Sequence, residues 1–252
     1  MNENYKLEIC VDSLESAIAA QKGGADRIEL CDNLYEGGTT PSAATIEIAR
    51  KILDIQVQVI IRPRGGDFLY SELEFRTMKR DIEIAKELKA DGVVIGVLKP
   101  GGTIDVTRCK ELVDIARPMN VTFHRAFDMT KEPFKALEDV IKTGADRLLT
   151  SGQLNEAPSG AKLIGKLVDK AGDRIIIMPG AGINNDNIKD MVSITKAREY
   201  HLTGSKYIES KMKYRNPKVF MGGLPEIPEY ERSVTDEKII RSVVSKLKSM
   251  QT

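Results

Sequence analysis

Short apolar, β-branched runs recur along the chain at 7–11, 27–31, 57–62, 92–97, 121–125, 147–151, 174–178 and 199–203. Several are apolar almost throughout, as parallel strands buried on both faces read. Amphipathic stretches separate them. Leu163, Ile164, Leu167 and Val168 form one helical stripe, and Ile239, Ile240, Val243, Val244 and Leu247 form another. Asp12-Ser13-Leu14-Glu15 and Ser71-Glu72-Leu73-Glu74 have capping-box spacing. Pro41 and Pro133 suit first helical turns, and Gly23-Gly24, Gly144 and Gly172 suit helix ends. Eight strands alternating with about eight helices predict an α/β fold, either a closed barrel or a doubly wound sheet. Gly24-Ala25-Asp26-Arg27-Ile28 returns as Gly144-Ala145-Asp146-Arg147-Leu148, each time between a helix and a strand. That half-length echo favours the (β/α)8, or TIM, barrel, whose usual size the 252 residues match.

No linker divides the pattern, so residues 1–252 are expected to form a single domain. Residues 210–231, rich in proline and glycine, read as an irregular excursion before the last helix. The 38 basic and 37 acidic side chains nearly cancel, which argues against a nucleic-acid surface or a polybasic membrane anchor. The polar start Met1-Asn2-Glu3-Asn4 lacks the apolar core of a secretory signal, and the apolar runs are too short to span a bilayer. Cys10, Cys31 and Cys109 are odd in number and contain no CxxC, so neither a disulfide framework nor a four-thiolate zinc site is expected. A cytoplasmic protein fits, and a homo-oligomer, most simply a dimer, is the expected assembly.

Candidate chemistry gathers at the C-terminal strand ends, where barrels of this kind carry their sites. Glu8-Ile9-Cys10 and Glu29-Leu30-Cys31 each place a carboxylate and a thiol on one strand face. If the two thiols stand at matching heights on neighbouring strands, they can share one soft ion such as Cu(I). Buried packing is the competing reading for both, and the preferred one for Cys109 on a predicted outer helix. Arg62 ends the third strand. His124, Arg125 and Asp128 end the fifth, and with Glu29 they form a candidate catalytic pocket: arginine to hold an anion, His124 as acid or base, Asp128 or Glu29 to orient it. Gly180, Ala181 and Gly182 follow the seventh strand and Ser205 follows the eighth, the usual anion-binding corner of this fold. The third glycine of a dinucleotide fingerprint is missing. His201, near the end of the last strand, reads equally as a pocket or a core residue.

With these blocks in view, the chain resembles the copper homeostasis protein CutC family. The resemblance rests on Glu8-Ile9-Cys10-Val11-Asp12, Gly23 through Cys31, Glu36-Gly37-Gly38-Thr39-Thr40-Pro41-Ser42 and Ile61 through Phe68. It continues in Thr122 through Asp128, Leu149-Thr150-Ser151-Gly152 and Met178 through Ile183, in family order from residue 5 to about 222. It implies a cytoplasmic TIM barrel with a role in copper tolerance or Cu(I) binding, and Cys10 and Cys31 match the cysteines associated with copper. The expected partner is therefore a copper ion. The alternative is a lyase, isomerase or hydrolase acting on a small phosphorylated or carboxylated metabolite at the charged pocket.

Overall fold

The computed structural model describes residues 5–221 and 227–250. The chain begins with β1 (Lys6–Val11), α1 (Leu14–Gly23), β2 (Arg27–Leu30), α2 (Ala43–Ile52), β3 (Gln56–Ile60), α3 (Glu72–Glu87) and β4 (Gly92–Ile95). A small hairpin, β5 (Leu98–Lys99) and β6 (Thr103–Ile104), precedes α4 (Val106–Ala116) and β7 (Asn120–Phe123). Then come α5 (Pro133–Thr143), β8 (Arg147–Thr150), α6 (Ala157–Ala171), β9 (Ile176–Pro179), α7 (Ile188–Thr195) and β10 (Glu199–Leu202). A second hairpin, β11 (Ser205–Glu209) and β12 (Glu231–Thr235), leads into α8 (Glu237–Lys248).

Eight of these strands form one parallel sheet in the order β10-β1-β2-β3-β4-β7-β8-β9. A bridge from Gly180 to His201 joins its two ends, so the sheet closes into the expected (β/α)8 barrel. The excursion is more ordered at its root than its composition suggests, because β11 and β12 pair from Ser205–Thr235 to Glu209–Glu231. Its part at 222–226 lies outside the described residues.

Side-chain alternation explains why the barrel holds both an oily shell and a charged lumen. Leu7, Ile9, Val11, Ile28, Leu30, Val57, Val59, Val93 and Val121 face the helices and are almost wholly buried. The intervening positions carry Glu8, Arg27, Glu29, Gln58, Thr122, Arg147, Glu199 and His201, which are buried as well. A reading of these strands as apolar on both faces therefore needs correction: only the outer face is uniformly apolar. Cys10, Cys31, Ile60 and Val94 form a separate small apolar cluster within the lumen.

The helices start and stop as their sequences direct. Ser71 and Glu74 complete a reciprocal capping box on α3. At α1 the cap is Ser13 alone, accepting from the Ser16 N–H. Pro133 occupies the first turn of α5, whereas Pro41 lies before the Ser42 cap of α2. The Gly-Ala-Asp echo is structural. Gly24 and Gly144 end their helices with left-handed backbones, and Asp26 and Asp146 accept the N–H groups of Leu7 and Val121. Asp91 does the same for Val57. Each aspartate thus ties the helix–strand turn to the start of the preceding strand.

Candidate functional site

The lumen is organised around an ion network. Arg27 on β2 reaches Glu8 at 2.5 Å and also pairs with Glu199, which takes Arg147 at 2.7 Å. Glu8 accepts at 2.8 Å from Nδ1 of His201, whose Nε2 stands 3.6 Å from Glu29. Burial works to raise the Glu8 pKa, but Arg27 and His201 outweigh it and hold the carboxyl at about 2. Burial also opposes charge on His201. Hydrogen bonding to Cys10 and Glu8, together with the charges of Glu29 and Glu8, nevertheless raises its pKa well above the usual value. Burial and the Cys10 charge push Glu29 well above the usual carboxylate range.

The thiols sit directly above this network. In the β1–β2 register Cys10 is opposite Glu29, so Cys31 lies two residues further along its strand and the two are not at matching heights. Diagonal placement brings them together nonetheless, with Sγ atoms 3.6 Å apart. The hydrogen bond from Cys31 is the largest influence lowering Cys10, to about 5 against the burial penalty, and His201 adds to it. Cys31 is raised well above its ordinary value by the same bond and by burial. The pair thus gives up one proton readily and holds the other between the two sulfurs. One ligand atom from each of Cys10, Glu29 and Cys31 falls within 4.8 Å of the others, the only such group among the described residues. With metal–thiolate bonds of ~2.3 Å, sulfurs 3.6 Å apart fit one ion at a bent angle, which leaves room for a third donor. Gly38 covers Cys31: a Cβ there would come within 3.2 Å of its Sγ, and the backbone has φ 88°.

Cys109 is a different case. It is buried on α4 and pushed up to about 12 by burial, which makes it a packing residue.

Above the thiols lies a cavity of about 560 Å³ at the C-terminal mouth, lined in part by Cys10, Glu29, Arg62, His124, Arg125 and Asp128. The structure brings those predicted residues together but changes their roles. Asp128 accepts from Arg125, Thr150, Ser151 and Gln153, so it anchors the β8 loop and does not orient His124. Arg125 is spent on Asp128 at 2.9 Å, the Ser151 hydroxyl and nearby carbonyls. Glu29 faces His201, not His124. His124 is lowered to about 3, first by burial and then by the Arg62 charge. It therefore stays neutral near pH 7, which makes it a weak general base there and leaves it no proton to give as an imidazolium acid.

The anion corner is also altered. The Gly180 N–H is paired with the Thr150 carbonyl, and the Glu156 side chain packs against Gly182. A carboxylate beside that loop disfavours a second anion. Ala181 and Gly182 line the cavity, but Ser205 belongs to the β11–β12 hairpin and lies outside it. Sequence reasoning placed Glu8 beside Cys10 but missed its ion pairs, and it gave no site role to Arg27, Arg147 and Glu199. Their signal was available: charged residues at alternating positions inside strands otherwise apolar.

Comparison with known proteins places this architecture. The CutC family model matches residues 5–206. A CutC family protein of Bacteroides thetaiotaomicron is 48% identical over 98% of this chain and 100% of its own. The human copper homeostasis protein cutC homolog is 46% identical over 95% of this chain and 88% of its own. A CutC crystal structure from Streptococcus agalactiae aligns with a TM-score of 0.76 at 35% identity, covering 79% of this chain and 98% of that one. Phosphoribosylanthranilate isomerase from Thermotoga maritima shares the fold alone, with a TM-score of 0.58 at 13% identity over 97% and 99% of the two chains. By sequence match and by architecture, the chain belongs to the CutC family.

Proposed function

We propose that this protein acts in intracellular copper homeostasis by holding Cu(I) between Cys10 and Cys31. The observation that carries the reading is the pair of free thiols 3.6 Å apart, one of them ionised near neutrality, at the floor of an open cavity. Soft thiolates select Cu(I), and the carboxyl of Glu29 is the third donor within reach. Copper is cargo in this reading: it enters through the mouth, displaces the shared proton of the thiols and leaves by the same route. The imidazolium of His201, fixed by Glu8, balances the added negative charge of the second thiolate. The name of the human relative, a copper homeostasis protein cutC homolog, supports copper as the ion. Unbridged thiols this close also fit a reducing, cytoplasmic setting, and no helix among the described residues is long and apolar enough to cross a membrane.

The test is competition of the reduced protein against a Cu(I) chelator of known affinity. One ion per chain is expected, with affinity lost when both Cys10 and Cys31 become Ser. Unchanged affinity in that double variant overturns the proposal.

A further inference from the structure

The mouth of the barrel holds two donor groups that the described residues do not fully satisfy. Arg62 is only 5% exposed, yet no carboxylate among the described residues pairs with it. Its terminal nitrogens donate to the carbonyls of Glu36 at 2.6 Å, Gly38 at 2.8 Å and Gly66 at 2.8 Å. Its Nε has no well-formed hydrogen bond among the described residues, and the side chain's remaining polar neighbour is the hydroxyl of Tyr70, which carries no negative charge to answer it. Carbonyl dipoles orient a guanidinium but leave its charge standing, and a buried uncompensated charge is costly. Arg125 shows the contrast, since its charge is answered by Asp128.

His124, 4% exposed, is the second donor. The Ala126 N–H donates to its Nδ1 at 3.1 Å, so Nδ1 presents a lone pair and the neutral ring carries its proton on Nε2. That Nε2–H has no partner among the described residues. The ring is fixed in place, because a Cβ at Gly96 would fall 2.4 Å from its Cε1. Phe68 lies between the two donors, 5.2 Å from the Arg62 guanidinium carbon and 5.0 Å from the His124 ring centre. All three line the cavity, whose remaining walls include Leu34, Met129, Leu149 and Ile183.

We infer that the mouth cavity binds a small organic carboxylate with a flat apolar body, its two oxygens accepting from His124 Nε2–H and facing the charge of Arg62. The number of donors favours a carboxylate over phosphate, which needs more than two. The apolar walls favour an organic body over an inorganic ion. Rotation of Phe68 exposes both donors and offers its ring face to the ligand. The neutral His124 holds an acceptor oxygen without exchanging a proton with it. This site is separate from the thiol pair and stands or falls independently of copper.

Benzoate is a suitable probe, with inorganic phosphate and chloride at matched ionic strength beside it. In long-range proton–nitrogen NMR of the metal-free protein, saturable benzoate binding is expected to shift the His124 Nε2 resonance. Calorimetry should show at least about a tenfold loss of benzoate affinity in Arg62→Leu and in His124→Phe, the scale of a lost charged hydrogen bond. Thermal melts check that both variants fold, and their Cu(I) affinity should stay within twofold of the parent. Three results overturn the inference: no shift with benzoate, a shift with phosphate but not benzoate, or an equal shift with chloride. The wild-type NMR result decides even if a variant fails to fold.

Discussion

The chain has two histidines, both almost fully buried in one barrel, and their surroundings drive them in opposite directions. His201 sits in the lumen between Glu8 and Glu29, where carboxylates stabilise its charged form. His124 sits at the mouth beside Arg62 and two phenylalanine rings, where no carboxylate among the described residues answers a positive charge. Burial penalises charge equally in kind at both sites. The partner decides the outcome: the lumen is a closed ion network feeding a thiolate, and the mouth is an open set of unspent donors.

The largest expected effect breaks the lumen side of that contrast. Glu8→Gln removes the carboxylate that Arg27 and His201 share, leaving Arg27 with Glu199 alone, and urea denaturation should show a loss of about 3–5 kcal/mol, the usual cost of removing one partner of a buried pair. Cu(I) affinity comes next. Cys10→Ser alone should weaken binding by at least about 100-fold, beyond the ~10–100-fold that outer-shell changes cost. A chelator competition checks this, and a loss under tenfold argues for another ligand.

The pH dependence of stability sharpens the comparison, because the two histidines should contribute with opposite signs. The folded value of His124 is lowered to about 3, so between that pH and its unfolded value near ~6.5 only the unfolded chain takes up the proton. Stability therefore falls as pH drops through this window, by up to about 1.4 kcal/mol per pH unit. His124→Gln should flatten the slope. The folded value of His201 is raised, so its contribution is complete below the unfolded value and fades as pH climbs through the folded one. His201→Gln should remove that alkaline decline in the metal-free protein. Slopes of the same sign contradict the assignment. The smallest effect is at Ser205, outside the cavity on its hairpin: Ser205→Ala should change Cu(I) affinity not at all and stability by less than about 0.5 kcal/mol.

The same contrast explains what could be read from the sequence. Strand and helix alternation is a local, periodic signal, and it identified all eight barrel strands. Six of their ends were placed one or two residues too far along, while the first, at Val11, was correct and the seventh stopped one residue short of Pro179. Cys31, Arg62 and His124 lie just past Leu30, Ile60 and Phe123, where the chain leaves the ladder yet keeps its alternation. The hairpins β5–β6 and β11–β12 escaped notice, since β5 and β6 are only two residues long and the five-residue β11 and β12 carry mostly exposed or half-buried side chains with little pattern. The proximity of Cys10 and Cys31 followed from adjacent strands bearing the same Glu-x-Cys unit. The partners of Asp128, Arg125 and Arg62 did not, because they come from loop carbonyls and hydroxyls whose approach no spacing encodes. The charge on His201 likewise depends on Glu8, 193 residues away.

X-ray absorption at the copper edge of the Cu(I)-loaded, reduced protein bears most directly on the thiol pair. Two sulfur neighbours near the ~2.3 Å of a metal–thiolate bond are predicted, and they should vanish in the Cys10→Ser, Cys31→Ser double variant. A first shell of nitrogen and oxygen alone, or a sulfur shell that survives the double substitution, would contradict it.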